Sequence, residues 1–196
     1  MFSEIPEKMK ERMKFLEEID KNDRNDGTEH FQRLRQIPPE TGRFLALLAS
    51  NCPDGNFIEI GTSAGYSTMW LSLAAREKQI TIKTFELHEG KIKLAKETFT
   101  KAGISHTVEL IEGDALTNLK NVEEISFCFI DCEKELYGKC WDLVSDKIID
   151  NGFIVADNAI SHHDDVKPMI DKAMSDERFD SLIVPIGTGE LVCRRK

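Results

Sequence analysis

The sequence predicts an α/β protein: a doubly wound, mostly parallel sheet, closed at its C-terminal end by an antiparallel hairpin. Three observations predict this. From Asn56 onward, short apolar runs alternate with helix-like segments, a pattern that builds parallel strands covered on both faces. A glycine-containing loop, GTSAG, follows the first run. And nearly every run stops at a carboxylate, at the strand ends where sheets of this class bind their ligands.

Taken in order, residues 3–20 place Ile5, Met9, Met13 and Leu16 at helical spacing among Lys and Glu, a helix with one apolar face. The polar run KNDRNDG at 21–27 ends it, and a second short helix is expected at about 28–36. PPETGRFLALLAS (38–50) has prolines at its start and a Phe44, Leu45, Leu47, Leu48 face, and CPDG (52–55) is a turn. The strands are then NFIEI (56–60), ITIKTFE (80–86), TVELIEG (107–113), ISFCFID (125–131), FIVAD (153–157) and SLIVPI (181–186). Between them lie YSTMWLSLAARE, HEGKIKLAKETFTKAG, the short ALTNLKN, KELYGKCWDLVSDKIIDN and DDVKPMIDKAMSDE as helical segments. GTGELVCRR, from Gly187, turns into a last strand. Residues 1–37 therefore form an N-terminal helical extension to one domain spanning 38–196.

Composition narrows the function. At 196 residues, with 40% hydrophobic and 31% charged, the chain suits one globular domain. Its net charge of -9, from 26 basic and 35 acidic residues, argues against a general nucleic-acid binder, which shows a basic face. Five cysteines without CxxC spacing favour reduced thiols and a cytoplasmic protein. No apolar run approaches a membrane span, and MFSEIPEKMKERMKF lacks the apolar segment of a signal peptide.

The carboxylate-ended strands supply the chemistry. EIGTSAGYS (59–67) joins the first strand to its helix through Gly61 and Gly65, spaced neither as a dinucleotide fingerprint nor as a P-loop. Alone, that loop is equally a tight turn. With Glu86 ending the next strand, placed for ribose hydroxyls, it favours a nucleoside ligand. Asp131 closes one strand and Asp157 with Asn158 another. If those strands are neighbours, hard oxygen donors converge and select Mg²⁺, with Ca²⁺ or Mn²⁺ as alternatives, over zinc. A single such end would read as a helix cap or turn. His162 and His163 read as loop residues near an acceptor entrance, and Trp70 and Trp141 as core or interface rather than stacking platforms.

EIGTSAGYST followed by FELHE resembles the motifs of class I S-adenosylmethionine-dependent methyltransferases, a Rossmann-like fold. More narrowly, the chain from PPETGRFL to VPIGTGELVCRR is similar to the cation-dependent O-methyltransferases of catechol and caffeoyl-coenzyme A. The resemblance implies that Glu86 binds the ribose of S-adenosylmethionine. It also implies that the Gly61–Gly65 loop passes the methionine moiety and that Asp114 and Ala115 lie against the adenine. Glu59, Ser63, Ser67, Leu87 and Asp131 count with the cofactor residues on the same likeness. It assigns the cation to Asp131, Asp157 and Asn158, and in FIDCEKELY (family pattern Asp-x-x-Lys-x-x-Tyr) makes Lys134 the general base. A lysine base needs its pKa lowered by burial or by a neighbouring cation.

The expected acceptor is a small molecule with vicinal hydroxyls, and the resemblance suggests a homodimer. The short AISHHDDVKP after Asn158 speaks against a bulky coenzyme A ester. Two rivals remain at this level: a methyltransferase for a hydroxylated tRNA nucleoside, and a non-catalytic S-adenosylmethionine-binding protein, for which Asp131, Lys134, Asp157 and Asn158 together would be superfluous.

Overall fold

The computed structural model describes residues 1–196 and contains one seven-stranded sheet, ordered β3-β2-β1-β4-β5-β7-β6. Its strands are β1 (Asn56–Ile60), β2 (Ile82–Glu86), β3 (Val108–Glu112), β4 (Ile125–Ile130), β5 (Ile148–Ala156), β6 (Phe179–Val184) and β7 (Glu190–Arg195). The first five are parallel; β7 inserts antiparallel between β5 and β6, the expected terminal hairpin. Helices α1 (Glu7–Asp23), α2 (Pro39–Ser50), α3 (Tyr66–Lys78), α4 (Glu89–Ala102), α5 (Ala115–Asn118), α6 (Tyr137–Val144) and α7 (His163–Ser175) cover the sheet. None is long and apolar enough to cross a membrane.

Side chains alternate across a strand, so a strand buried on both faces feeds two cores. In β4, Phe127 and Phe129 join one core with α1–α4, while Cys128 and Ile130 join the other with α6 and α7. The same alternation divides Val155 from Ile154 and Ala156 in β5. Trp70 and Trp141 are core, each under 5% exposed.

Two expectations change. Residues 28–36 do not form a helix; a single 3₁₀ turn, His30–Gln32, interrupts an extended strap. Pro38 disfavours helical geometry in the residue before it, and the side chains at the end of α1 capture the strap's backbone. Asp23 Oδ2 accepts from Leu34 N at 2.7 Å and Asp20 Oδ1 from Gln36 N at 3.1 Å. Secondly, β5 starts at Ile148, inside the expected helix, because a register shift against β4 absorbs the residues around Asn151 and Gly152. Asn151 there adopts φ 65.

The extension shares the domain's core. Met9, Met13 and Leu16 are buried in it, and Arg12 bonds Thr98 Oγ1 at 3.0 Å and Glu97 at 3.3 Å on α4.

Candidate functional site

The sheet register lines up the strand ends. Ile60 pairs with Phe85 on one side and Ile130 on the other, and Ile130 pairs with Ala156. The ladder runs one step further: Gly61 N donates to Phe85 O (3.1 Å), Asp131 N to Ile60 O (2.9 Å) and Asp157 N to Ile130 O (3.1 Å). Glu86, Gly61, Asp131 and Asp157 therefore stand in one row, across the β1/β4 point where the winding of the sheet reverses. Above this row lies a cavity of about 700 Å³.

Gly61, Ser63, Ser67, Glu86, Leu87, Asp114 and Ala115 line it, as do Asp131, Lys134, Asp157 and Asn158. Glu59 and Gly65 are not in its wall. Glu59 is fully buried beneath the loop, where its carboxylate accepts from Ser67 Oγ (2.6 Å), Thr68 Oγ1 (2.5 Å) and Thr84 Oγ1 (2.6 Å). Burial raises its pKa from 4.5 to about 7, against the pull of those three hydroxyls. Gly65, at φ 85, is held by α4: a Cβ there would meet Phe99 Cε1 at 2.6 Å.

The β1–β2 side is internally satisfied. Glu86 Oε2 accepts from Ser63 N at 2.7 Å, and Oε1 from Leu87 N (3.0 Å) and His88 N (2.9 Å). The carboxylate thus ties the glycine loop to its own strand end and keeps lone pairs for hydroxyl donors. Asp114 caps α5, accepting from Leu116 N at 2.9 Å. Gly61 sits at φ 104 with its α-carbon pressed on the Asp131 carbonyl, where any Cβ would collide. Loop and β4 end are therefore in van der Waals contact.

The β4–β5 side gathers charge. β4 and β5 are neighbours, as the convergence of donors requires. Asp131 Oδ1 accepts from Asn158 Nδ2 at 3.2 Å and lies 3.5 Å from both Lys134 Nζ and the Tyr137 hydroxyl. Asp157 Oδ1 accepts from Asn158 N at 2.6 Å and from the Thr188 hydroxyl. Asn158 itself is held at φ 68, a left-handed conformation asparagine tolerates. Burial first, and Asp157 second, push the Asp131 carboxyl up to about 6, with Lys134 and Arg35 opposing.

Two carboxylates and a carboxamide are the hard oxygen donors that Mg²⁺, Ca²⁺ or Mn²⁺ prefer, so the set fits such an ion. It falls short of a cluster of three His, Cys, Asp or Glu, and the chain has no such cluster. The Asn158 amide nitrogen faces Asp131 here; an amide turned over offers its oxygen to the same space.

Sequence reasoning did not name three contributors residue by residue. The strap supplies Arg24, His30 and Arg33–Ile37 to the cavity wall; it carries no helical or strand period that would announce it. Within it, Leu34 O accepts from Ser63 Oγ at 3.0 Å, and Arg35, at φ 48, makes a two-pronged pair with Glu133 beside Asp131. Glu190 opens β7 fully buried, neither oxygen hydrogen-bonded, and burial followed by Asp157 pushes its carboxyl up to about 10. A lone Glu before LVC in a strand paired on both sides was its available signal. Tyr137, buried with Asn158 Nδ2 donating to its hydroxyl at 3.2 Å, was visible in FIDCEKELY. His162 lines the cavity as expected, but His163 already belongs to α7.

A family model described as O-methyltransferase matches residues 8–196. The chain is 32% identical over 129 residues to a catechol O-methyltransferase from Niastella koreensis, a stretch covering 63% of this chain and 58% of that relative. It is 27% identical over 210 aligned positions to a caffeoyl-CoA O-methyltransferase from Medicago sativa, covering 94% and 82%. Among solved structures, the SAH-bound methyltransferase PaMTH1 from Podospora anserina superposes at a TM-score of 0.80 with 22% identity, covering 98% of this chain and 89% of that one. The Bacillus cereus O-methyltransferase in complex with SAH gives 0.77 at 20% identity, covering 95% and 91%. At those identities, the structural likeness speaks for the fold.

Proposed function

The chain belongs to the O-methyltransferase family and is an S-adenosylmethionine-dependent enzyme, and we propose that it methylates one hydroxyl of a small vicinal diol, catechol-like, with the help of a divalent cation. The observation that carries this reading is the adjacency of β4 and β5: it brings Asp131, Asp157 and Asn158 together in the wall of the cavity that the Gly61 loop also lines. In this proposal residues 38–196 do the chemistry and residues 1–37 roof the site. The homodimer and the cytoplasmic location expected on the sequence belong to the same proposal.

The division of labour follows from the two sides of the row. Glu86 receives the ribose hydroxyls of the methyl donor, and the Gly61–Gly65 loop leaves room for its methionine end. Asp131, Asp157 and Asn158 would hold the cation. When bound, a divalent ion of this kind lowers the pKa of a hydroxyl chelated beside it. In this proposal Lys134, which lies 3.5 Å from Asp131 and 3.4 Å from the Tyr137 hydroxyl, takes the proton of the acceptor's hydroxyl. The acceptor oxygen then attacks the methyl carbon in line with the departing sulfur, and alignment of the two substrates supplies most of the acceleration.

The test is transfer of label from methyl-labelled S-adenosylmethionine to a dihydroxyphenyl acceptor, with Mg²⁺ and with EDTA. Transfer that collapses in EDTA and returns with added Mg²⁺ is expected. Equal transfer in both tubes removes the cation from the mechanism, and no transfer in either removes the catechol-like acceptor.

A further inference from the structure

Five Lys and Arg side chains line the cavity: Arg24, Arg33, Arg35, Lys91 and Lys134. Four have protein partners. Arg24 pairs with Asp20, Arg33 Nε donates to Thr28 O at 2.9 Å, Arg35 pairs with Glu133 and Lys134 with Asp131. Lys91 is the fifth. It is half-buried in the first turn of α4, yet makes no hydrogen bond and has no carboxylate within salt-bridge reach.

A half-enclosed ammonium without a counter-ion is costly, and burial followed by the nearby Arg35 charge lowers its pKa. The carboxylates it feels, Glu86, Glu133 and Asp131, attract it from a distance and each is already engaged: Glu86 with three backbone amides, Glu133 with Arg35, Asp131 with Lys134. A wall position that lacks a partner in the protein is suited to one that arrives with a ligand.

Two ligands enter this cavity under the proposed function, on which this inference rests. The amino-acid end of the methyl donor carries its own ammonium beside its carboxylate and needs no further cation for charge balance. The acceptor has no such constraint. Lys91 feels Glu86 first and then Glu133 and Asp131, and it lines the wall of the cavity that both ligands share.

We propose that Lys91 is a specificity-determining residue that pairs with an anionic substituent on the acceptor. The preferred acceptor is then an acidic diol, two adjacent hydroxyls on a ring that also carries a carboxylate, in preference to a neutral or cationic catechol. Discrimination arises from both sides: attraction for the acid, and an amine placed against Lys91 and Arg35 is repelled.

The experiment compares 3,4-dihydroxybenzoate, its neutral carboxamide and a dihydroxyphenyl amine in the label-transfer assay, with the wild type and Lys91→Met. Methionine keeps the packing of the stem without the charge. The wild type is expected to favour the acid over the carboxamide by about tenfold in kcat/KM, the size of one modest ion pair. Lys91→Met should lose that preference, leaving the carboxamide rate and the KM for S-adenosylmethionine unchanged, and Lys91→Arg should restore much of it.

A wild type that treats acid and carboxamide alike overturns the inference while leaving O-methyl transfer to diols intact. So does a variant whose KM for S-adenosylmethionine rises equally with every acceptor, since Lys91 then serves the donor's carboxylate. If no acceptor is methylated, the catechol-like reading fails, and calorimetric binding of the same acid and carboxamide in the presence of S-adenosylhomocysteine decides for Lys91. Acid binding abolished by Lys91→Met supports it, and its absence or insensitivity to the substitution refutes it.

Discussion

The two halves of the strand-end row are built from the same residue types and differ in what surrounds their carboxylates, hydrogen-bond donors in one and a neighbouring carboxylate in the other. Around β1 and β2, the carboxylates are fully served by the protein: Glu86 by three backbone amides, Glu59 by three hydroxyls. Around β4 and β5, burial first and the Asp157 charge second push up the carboxyls of Asp131 and Glu190. In the proposed function the first half receives a neutral-hydroxyl partner, the ribose. The second sets the Asp131 and Asp157 side chains close to one another, and in the proposed function a divalent ion would offset their mutual repulsion. A carboxylate at a strand end is thus no single signal; what its neighbours donate to it decides whether it braces a loop or awaits a charge.

The largest expected effect comes from breaking the second half. Asp157→Ala should lower methyl transfer on the order of a thousandfold, as removal of preorganised electrostatic stabilisation does. Calorimetry should find S-adenosylmethionine binding within a few-fold of wild type. Loss of both together would mean the halves are not separable. Next, Lys134→Gln should lower kcat on the order of a hundredfold, a general base's share, with both KM values little altered. A KM-only effect would reduce Lys134 to a binding residue.

Breaking the first half should look different. Glu86→Gln removes charge-assisted acceptors from a ribose and from the loop, and the KM for S-adenosylmethionine should rise by about tenfold with kcat largely kept. An unchanged KM would take Glu86 out of cofactor binding.

The smallest effect is on stability. Glu59 has a pKa of about 7 in the fold against an ordinary 4.5, so the folded state holds its proton to higher pH than the unfolded chain does. Its contribution is therefore fully present below about pH 4.5 and is lost as pH rises through about 7. Urea unfolding at several pH values should show a decline across that window that Glu59→Gln flattens, by a few kcal/mol at most. Parallel profiles for the two proteins would show that Glu59 does not titrate in this range.

The sheet was legible because its strands obey simple rules. Apolar runs such as ISFCFI must be buried on both faces, and a strand end at a reversal of winding is where side chains meet a ligand. Hence Glu86, Asp131 and Asp157 could be found from where each run stops. Glu59 lies outside the cavity wall, and position along the chain does not say on which side of the loop a carboxylate ends. That depends on Ser67, Thr68 and Thr84, which close on it only in three dimensions. The strap was illegible for a related reason. Its conformation comes from Asp20 and Asp23 capturing backbone amides across a turn, and from the Arg35–Glu133 pair, 98 positions apart. Neither leaves a period in the sequence.

The most direct test of the contrast between the halves is a Mn²⁺ titration followed by electron paramagnetic resonance. It would be made on the wild type, on Asp157→Ala and on Glu86→Gln. A saturable Mn²⁺ site in the wild type that persists in Glu86→Gln and disappears in Asp157→Ala is the predicted result. Mn²⁺ bound equally by Asp157→Ala, or not bound by the wild type at all, would contradict it.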